Sequence, residues 1–556
     1  MATTANKPIN LECTYCHTVT PLHAFKGECP ACGEKIVEPR YDFGQFDVQR
    51  WLRELKERPV NLWRYHEVLP LYDTRHIVSL HEGHTPLIKS EALAASLGLK
   101  HLYIKDERQG PTGSFKDRQA TVAISALREM GVEEVVVAST GNVAIAYAAY
   151  AARAGIKLWA FFPHLTPGDK MRETALYGAE IIGTTGTYDQ TKELAAIFAS
   201  SRGLFLDKGI KSVAATEGMK TMAYEIAEQL GNELEGGRRW RSPDWFIQGV
   251  SGGLGPIGVG RGFREMQAFG LVDKLPAFGM IQSTGCAPMV QAFQRGQRVA
   301  TPIENSETII VTLATGNPGR AYELLYDYVQ ENGGYFEDAT DEEAFNAIRL
   351  LARYDGISVE PATGVTFAGL FKLVRQGVIK PDDVVVVNCS GHTMPVEKRL
   401  LGERWQKQVD MSRASSTPSV PVASLTNAVE TLGGLRRVVV IEDNEAAARL
   451  MSRILQAREN SEVHVAHSGA AGLDIVRDLQ PDLVITDLMM PGVDGFSVIE
   501  TMKTDEALRT IPIVVVTAKE LTVQERDYLS THTEMVLQKG SFLDEQLLDT
   551  IMQRLH

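Results

Sequence analysis

From residue 41 to about 405, short apolar runs alternate with longer stretches whose apolar positions recur every three or four residues. VEEVVVAS followed by TGNVAIAYAAYAARAG is one such pair, and KLWAFFP, DWFIQGV, FGMIQS and DDVVVVNCS are further apolar runs. A run without polar alternation suits a strand covered on both faces. Its succession with amphipathic helices predicts strand–helix–strand units around a buried, largely parallel sheet. The most apolar stretch, 143–162, is interrupted by Arg153, Gly155 and Lys157, which predicts a buried helix and strand rather than a membrane span. Residues 1–40 carry no helical period and are punctuated by cysteines. Residues 406–434, including SRASSTPSVPVAS, are rich in Ser, Pro, Thr and Ala and read as a flexible linker. From 435 to 556 the alternation restarts as RRVVVIED, SEVHVAHS, PDLVITD, IPIVVVTA and EMVLQK, separated by helical sequence. Strands of that number and spacing predict one compact doubly wound domain.

Composition changes this picture little. A chain of 556 residues is too long for one core and predicts about three to four domains. The 44% hydrophobic and 23% charged residues are ordinary for a globular protein. A net charge of -13 argues against a nucleic-acid partner. The N-terminus, MATTANKPINLECTYC, lacks the apolar core of a signal peptide, and six cysteines in so long a chain do not make a disulfide scaffold. The expected compartment is the cytoplasm.

Cys13, Cys16, Cys29 and Cys32 form C-x2-C-x12-C-x2-C. Each C-x-x-C loop can turn two thiolates toward one ion, and two loops close a tetrahedral structural site of the zinc-ribbon kind, for which zinc is the expected metal. The alternative is four reduced structural cysteines, or a site eroded to emptiness. A module of about 40 residues buries too little surface to stand without such a staple. His17 is expected to be a bystander, and Cys286 and Cys389 inert residues in apolar strands.

The segment LYIKDERQGPTGSFKDRQA runs from a strand through a Gly-containing loop into a helix that starts at Lys116. A lone lysine is usually a solvated charge. Here Gly113, Phe115 and the apolar surroundings imply a pocket, where the amine's pKa falls and Schiff-base chemistry opens. The landmarks SLHEGHTPL (79–87), PTGSFKDR (111–118), ASTGN (138–142), GVSGGLG (249–255), ATGNPG (314–319), EPATG (360–364) and CSGH (389–392) follow in order. In these the sequence resembles the tryptophan-synthase β-like family of pyridoxal-phosphate enzymes, and threonine synthase within it, over roughly 76–400. The resemblance implies a two-domain α/β fold and pyridoxal 5'-phosphate as cofactor. It implies that Lys116 holds the cofactor covalently and then moves the substrate's α-proton, and that Asn142 bonds the ring hydroxyl. Gly249, Val250, Ser251, Gly252 and Gly253 would cradle the phosphate at a helix N-terminus. Ser390 would face the ring nitrogen, and Ser139 and Thr140 are candidates for the substrate carboxylate. A neutral hydroxyl at the ring nitrogen suits β- and γ-elimination or replacement.

Threonine synthases use an Asn-rich cofactor loop, GNAGN, and an N-S-V-N-P-x-R-x-E-G stretch whose Arg takes a second phosphate. Here the loop reads Gly249-Val250-Ser251-Gly252-Gly253, the stretch at 211–218 reads KSVAATEG without the Arg, and Val143 replaces a Thr. Lys170, Arg172 and Lys211 are candidates for the missing charge, against the plainer reading of exposed side chains. The substrate therefore stays open among O-phosphohomoserine, serine or threonine deamination, and β-replacement.

In the C-terminal region Glu442 and Asp443 end a first strand, Asp487 a third, Thr517 a fourth and Lys539 a fifth. The carboxyl edge of a doubly wound sheet is where its site is built, and three carboxylates gathered there call for Mg²⁺. The pattern resembles a response-regulator receiver, with a CheY-like doubly wound (βα)5 fold. The resemblance implies that Asp487 is the phosphoacceptor, that Glu442, Asp443 and Asp487 hold Mg²⁺, and that Thr517 and Lys539 contact the phosphoryl group. Gly540 replaces the usual Pro after the lysine, and Val536 stands where the family has a switch aromatic. A sensor histidine kinase is the expected phosphodonor, an amino acid the expected substrate, and a homodimer the expected assembly. The rival from another class is a ligand sensor without turnover.

Overall fold

The computed structural model describes residues 9–22, 25, 27–41, 46–164, 166–185, 187–392, 437–445, 447–449, 451–452, 455, 462–517, 519, 521–533 and 535–538. The chain divides into two compact units, Met1–Leu400 and Leu401–His556, and the cysteine module lies within the first. The linker expected at 406–434 lies outside the described residues.

The module is a three-stranded antiparallel sheet in the order β2–β1–β3, built from β1 (Ile9–Cys13), β2 (Val19–Pro21) and β3 (Val37–Tyr41). Ile9, Leu11 and Cys13 are buried while Asn10 and Glu12 between them are only half-buried, the two-residue period of a strand. After α1 (Val48–Leu55), a larger sheet opens with β4 (Leu87–Ser90), α2 (Ala92–Leu97) and β5 (His101–Asp106). Helix α3 (Lys116–Glu129) then leads into a second sheet. Its elements are β6 (Glu134–Ala138), α4 (Asn142–Ala154), β7 (Lys157–Phe162), α5 (Gly168–Leu176), β8 (Glu180–Gly183), α6 (Tyr188–Arg202) and β9 (Phe205–Leu206). These four strands are parallel, in the order β8–β7–β6–β9.

Helix α7 (Val213–Glu235) returns the chain to the larger sheet through β10 (Trp245–Gly249), α8 (Leu254–Ala268), β11 (Ala277–Ser283), α9 (Pro288–Gln294) and α10 (Arg320–Asn332). β12 (Gly334–Ala339), α11 (Asp341–Asp355), α12 (Pro361–Arg375) and β13 (Val384–Cys389) complete it. The order is β12–β11–β10–β13–β5–β4, parallel except for the β4–β5 pair. Met222, Ile226, Val259 and Phe263 of α7 and α8 cover one face, and Leu351, Val365 and Leu370 of α11 and α12 the other. Covered on both sides, β13 is buried at every position, as its VVVVNC run predicts. The stretch 143–162 is helix then strand as expected, broken where Gly155 takes φ +72° and caps α4. Cys389 is a buried strand residue as expected, whereas Cys286 is buried in a short 3-10 turn (Thr284–Cys286) instead of a strand.

The second unit contains β14 (Arg437–Ile441), β15 (Glu462–Ala466), α13 (Gly469–Leu479), β16 (Leu483–Thr486), α14 (Gly495–Thr504), β17 (Ile513–Thr517), α15 (Val523–His532) and β18 (Met535–Gln538). Its strands are all parallel in the order β15–β14–β16–β17–β18, the doubly wound arrangement the pattern predicts. Val439 and Ile441 enter one core and Val438 and Val440 another, one on each face. Among the described residues no helix is long and apolar enough to cross a membrane.

Candidate functional site

Lys116 is the first residue of α3, and the loop before it is stitched to the end of β13. The Phe115 N–H donates to the Ser390 carbonyl (3.0 Å), the His392 N–H donates to the Gly113 carbonyl (2.9 Å), and Ser114 pairs with Gly391. This brings the 111–118 and 389–392 motifs together. Among the described residues the Lys116 amine makes no hydrogen bond; it rests 3.9 Å from the centroid of the Phe115 ring. Burial pulls its pKa down to about 8, with the Glu360 charge opposing. At mildly alkaline pH a large fraction is therefore neutral and nucleophilic.

One carboxylate joins two residues to which the sequence gives separate tasks. Glu360, at the N-cap of α12, accepts from the Ser390 hydroxyl at Oε1 (2.8 Å) and from Asn142 Nδ2 at Oε2 (2.8 Å). Lys170 Nζ donates to Asn142 Oδ1 (2.7 Å) and lies 3.9 Å from Glu360 Oε2. Thr363 Oγ1 accepts from the Ser390 N–H (3.0 Å) and shares a hydrogen bond with its hydroxyl (2.9 Å). Lys170 and Glu360 are about 5% and 4% exposed, so these charges meet away from water. Lys170, a candidate for a second phosphate, instead holds Asn142. The sequence does not single out Glu360 within EPATG, because a Glu before Pro at a helix start reads as ordinary N-terminal chemistry.

The Gly249–Gly253 loop joins β10 to α8, and Gly253 caps α8 at φ +84°, a conformation that favours glycine. A Cβ at Gly252 would meet nothing within 4 Å, so the loop has open space there, beside a helix N-terminus. The Val250 N–H is committed to the Ile281 carbonyl (2.7 Å), which removes one of the donors expected for an anion. The Ser251 hydroxyl shares a hydrogen bond with that of Thr315 (2.6 Å). The Ser139 hydroxyl accepts from the N–H groups of Gly141 (3.0 Å) and Ala144 (3.1 Å) and so shapes the loop before α4, while Thr140 beside it is half-buried. A recessed amine, the Asn142 and Ser390 side chains gathered on Glu360, and a glycine loop at a helix N-terminus fit pyridoxal phosphate.

Below Lys116 lies a charge network that holds α3. Arg118 donates to Glu107 from Nε and Nη2 (2.7 Å each) and to Glu225 from Nη1 and Nη2 (2.7 and 2.6 Å). Lys105 Nζ adds a bond to Glu225 (2.8 Å). All four side chains are buried, and the Arg118 and Lys105 charges keep the Glu225 carboxyl far below its usual range despite its burial. Beside them Asp117 accepts from Thr112 N (3.1 Å) and Oγ1 (2.7 Å), and burial pushes its carboxyl up to about 7.

The sulfurs of Cys13, Cys16, Cys29 and Cys32 all lie within 4.8 Å of one another. Cys13–Cys32 and Cys16–Cys29 approach to 3.5 Å, far beyond a disulfide and close to the roughly 3.8 Å edge of a tetrahedral zinc–thiolate site. The donor set is thus compatible with zinc. His17 is exposed and turned to Glu12, Nδ1 to Oε1 at 3.0 Å.

In the second unit, Glu442 and Asp443 follow β14 and Asp487 follows β16, with one oxygen from each within 4.8 Å of the others. Glu442 and Asp487 are buried and Asp443 is exposed. Gly495 allows the loop after Asp487 to close, since a Cβ there would lie 2.1 Å from the Asp487 carbonyl. Thr517 ends β17, buried, with its hydroxyl accepting from the Lys519 N–H (3.2 Å). Lys539 lies outside the described residues, one position after Gln538, which pairs with Thr517. Val536 is half-buried against the core of this unit.

The family described as pyridoxal-phosphate dependent enzymes matches residues 78–391, and that of response regulator receiver domains matches 438–552. The chain is 38% identical over 362 residues to the threonine synthase of Methanocaldococcus jannaschii, covering 65% of this chain and 87% of that one. It is 35% identical over 387 residues to the threonine synthase of Methanosarcina acetivorans, covering 69% and 92%. Among solved structures, diaminopropionate ammonia lyase from Escherichia coli superposes with a TM-score of 0.50 at 18% identity, covering 59% of this chain and 90% of that one, a likeness of fold alone.

Proposed function

We propose, from the premise that this chain belongs to the pyridoxal-phosphate dependent enzyme family and carries a response regulator receiver domain, that it is a lyase acting on the β- or γ-position of an amino acid under aspartyl-phosphate control. The observation that carries the reading is Lys116. Its amine is held near pKa 8 without a hydrogen bond among the described residues, at the motif junction that also gathers Asn142, Glu360 and Ser390. Pyridoxal phosphate, when bound, supplies the electron sink that acidifies the substrate's α-carbon. Lys116 Nζ takes and returns the α-proton. Asn142, held by Lys170 and Glu360, orients the ring. The Ser390 hydroxyl, which rests on Glu360 and Thr363, would turn its proton from Glu360 toward the ring nitrogen and so meet it without a formal positive charge. The N-terminus of α8 takes the cofactor phosphate, and Thr140 the substrate carboxylate.

The substrate we favour is O-phosphohomoserine, by the likeness to threonine synthases at 38% and 35% identity. Lys211, just before α7, is exposed; partial desolvation and the charges of Lys35, Lys208 and Lys192 lower its pKa, and these lysines are a source of positive charge where the family's Arg is missing. The second reading is a serine or threonine dehydratase, favoured by that missing Arg. Purified protein should show a Schiff-base absorption band that Lys116→Ala removes. Threonine and phosphate formed from O-phosphohomoserine support the first substrate; 2-oxobutyrate from threonine, with no reaction of the phosphorylated substrate, supports the second. A bound cofactor with no turnover of any amino acid would overturn both in favour of a sensor.

Further parts of the reading are a zinc-held four-cysteine module over residues 1–40, a catalytic domain over 41–405, a linker over 406–434 and a receiver over 435–556. In the receiver, Glu442, Asp443 and Asp487 hold Mg²⁺, Asp487 takes the phosphoryl group from a histidine kinase, and Thr517 and Lys539 contact it. We place the protein in the cytoplasm as a homodimer. Sedimentation of the full chain tests the dimer, and steady-state kcat/KM with and without a phosphoryl mimic tests the control.

A further inference from the structure

Besides the bond from the Tyr41 hydroxyl to Glu217 of α7 (2.7 Å), the cysteine module is tied to the rest of the first unit by two arginines, each on a helix that touches the Gly249–Gly253 loop. Helix α8 begins where that loop ends, and its Arg261 donates from Nη2 to the Val37 carbonyl (3.2 Å), with Nε 3.4 Å from Glu38. Helix α10 begins with Arg320, whose Nη2 donates to the Thr14 carbonyl (2.9 Å). The same guanidinium lies 5.7 Å from the Tyr15 ring centroid, and its Nε is 4.0 Å from the Glu34 carboxylate. Thr14 and Tyr15 are the two residues between Cys13 and Cys16. Glu34 lies just past Cys32, its carboxylate accepting from the N–H groups of Lys35 (2.7 Å) and Ile36 (2.9 Å). One side chain, 16% exposed, therefore spans both cysteine loops.

On its other side, Arg320 closes the 314–319 segment, which is gripped at Gly316. The Ile303 N–H donates to the Gly316 carbonyl (3.0 Å), and a Cβ at Gly316 would lie 2.0 Å from the Ile303 carbonyl. Two contacts carry this segment and α10 to the cofactor loop. Thr315 Oγ1 is 2.6 Å from Ser251 Oγ, and a Cβ at Gly253 would stand 3.2 Å from Ala321 and 3.3 Å from Leu325. The loop that would hold the phosphate thus leans on a helix whose first residue is anchored in the first cysteine loop.

We propose that Arg320 is a positioning residue that couples metal occupancy of the four cysteines to the Gly249–Gly253 loop, so that loading the module with Zn²⁺ tightens the hold on pyridoxal phosphate. The inference rests on the cofactor and zinc readings above. In a module this small, metal binding and folding are one process, so the backbone carbonyl that Arg320 grips is fixed only when the thiolates are held together. Couplings between sites are typically about fivefold to 150-fold in affinity.

The test uses the full chain freed of cofactor, with Zn²⁺ loaded or stripped by a chelator. It is titrated with pyridoxal phosphate, and binding is followed by absorbance and by quenching of tryptophan fluorescence. Stripping zinc from the natural chain should weaken cofactor binding at least about fivefold. Arg320→Gln should lose most of that zinc effect, with Arg261 carrying the remainder, and Arg320→Lys should restore part of the difference. Equal affinity of the natural chain in both states, or an Arg320→Gln variant that keeps the full zinc effect, would overturn the coupling. If that variant does not fold, Thr315→Val cuts the same path at Ser251, and a zinc effect undiminished there overturns it equally. Failure of the zinc-loaded natural chain to bind pyridoxal phosphate at all would instead overturn the cofactor reading, and failure to take up zinc the metal reading.

Discussion

The two units set their chemistry at the carboxyl ends of parallel strands but assemble it from different materials. In the first, Arg118, Lys105, Glu107 and Glu225 are all buried, opposite charges are matched within hydrogen-bonding distance, and Lys116 stands two residues away on the same helix. In the second, Glu442, Asp443 and Asp487 bring three acids within 4.8 Å of one another, with Asp443 at the surface. A buried pair is fragile because losing one partner strands the other charge. An acidic cluster that reaches solvent through one exposed member answers instead to whatever cation arrives. One unit should therefore register internal substitution most strongly, and the other its ionic surroundings.

The largest expected effect is chemical. Asp487→Asn should abolish phosphoryl uptake from acetyl phosphate, read by intact mass, while the Schiff-base band of the first unit is unchanged; any uptake at another residue would break the assignment. Next, Arg118→Ala should destabilise the first unit by about 3–5 kcal/mol, seen as a lowered denaturation midpoint for that unit alone. A loss of under about 1 kcal/mol would mean that the network is no more than a surface-type pairing. Third, Mg²⁺ at about a hundred times its dissociation constant should stabilise the second unit by about 2.7 kcal/mol and leave the first in place. Asp443→Asn should remove most of that gain, and equal stabilisation of both units would erase the contrast.

The last effect is a pH dependence. The Lys116 amine sits at about 8 when folded, lowered by burial from its ordinary 10.5. Between these values the unfolded chain binds more protons than the folded one, so the cofactor-free first unit should gain stability as pH rises from about 8 to 10.5. Lys116→Met should flatten the melting curve's pH dependence across that window, and an unchanged slope would assign it to another group.

Much of this was legible along the chain. Of the interior strands of the two larger sheets, β6, β7, β10, β11 and β13 are the apolar runs the pattern marks, and β5 is the strand that leads toward Lys116. In these two sheets the strands it did not single out, β4, β8, β9 and β12, stand at the edges. An edge strand is covered on fewer sides and carries mixed residues; β8 is half-buried at only two of its positions and exposed at the others. Lys116 and the receiver carboxylates were legible because each belongs to a motif at a strand or helix terminus. Glu360 was not, because its partner Asn142 lies 218 positions away and no spacing rule connects them. Ser139 and Val250 carry outward roles by resemblance, yet the Ser139 hydroxyl and the Val250 N–H are spent inside the fold.

By itself the sequence determined the two α/β units, the cysteine quartet, the lysine and the acidic strand ends. Each depends on periodicity or on neighbours within a few positions, and a side chain's local geometry follows from those. Only the tertiary structure decided that Glu360 and Lys170 flank Asn142, and that Arg320 meets Thr14 across 306 positions. Such pairings form when helices and loops remote in the chain are packed against one sheet edge. The buried charges then select one another by distance, which composition and period do not encode.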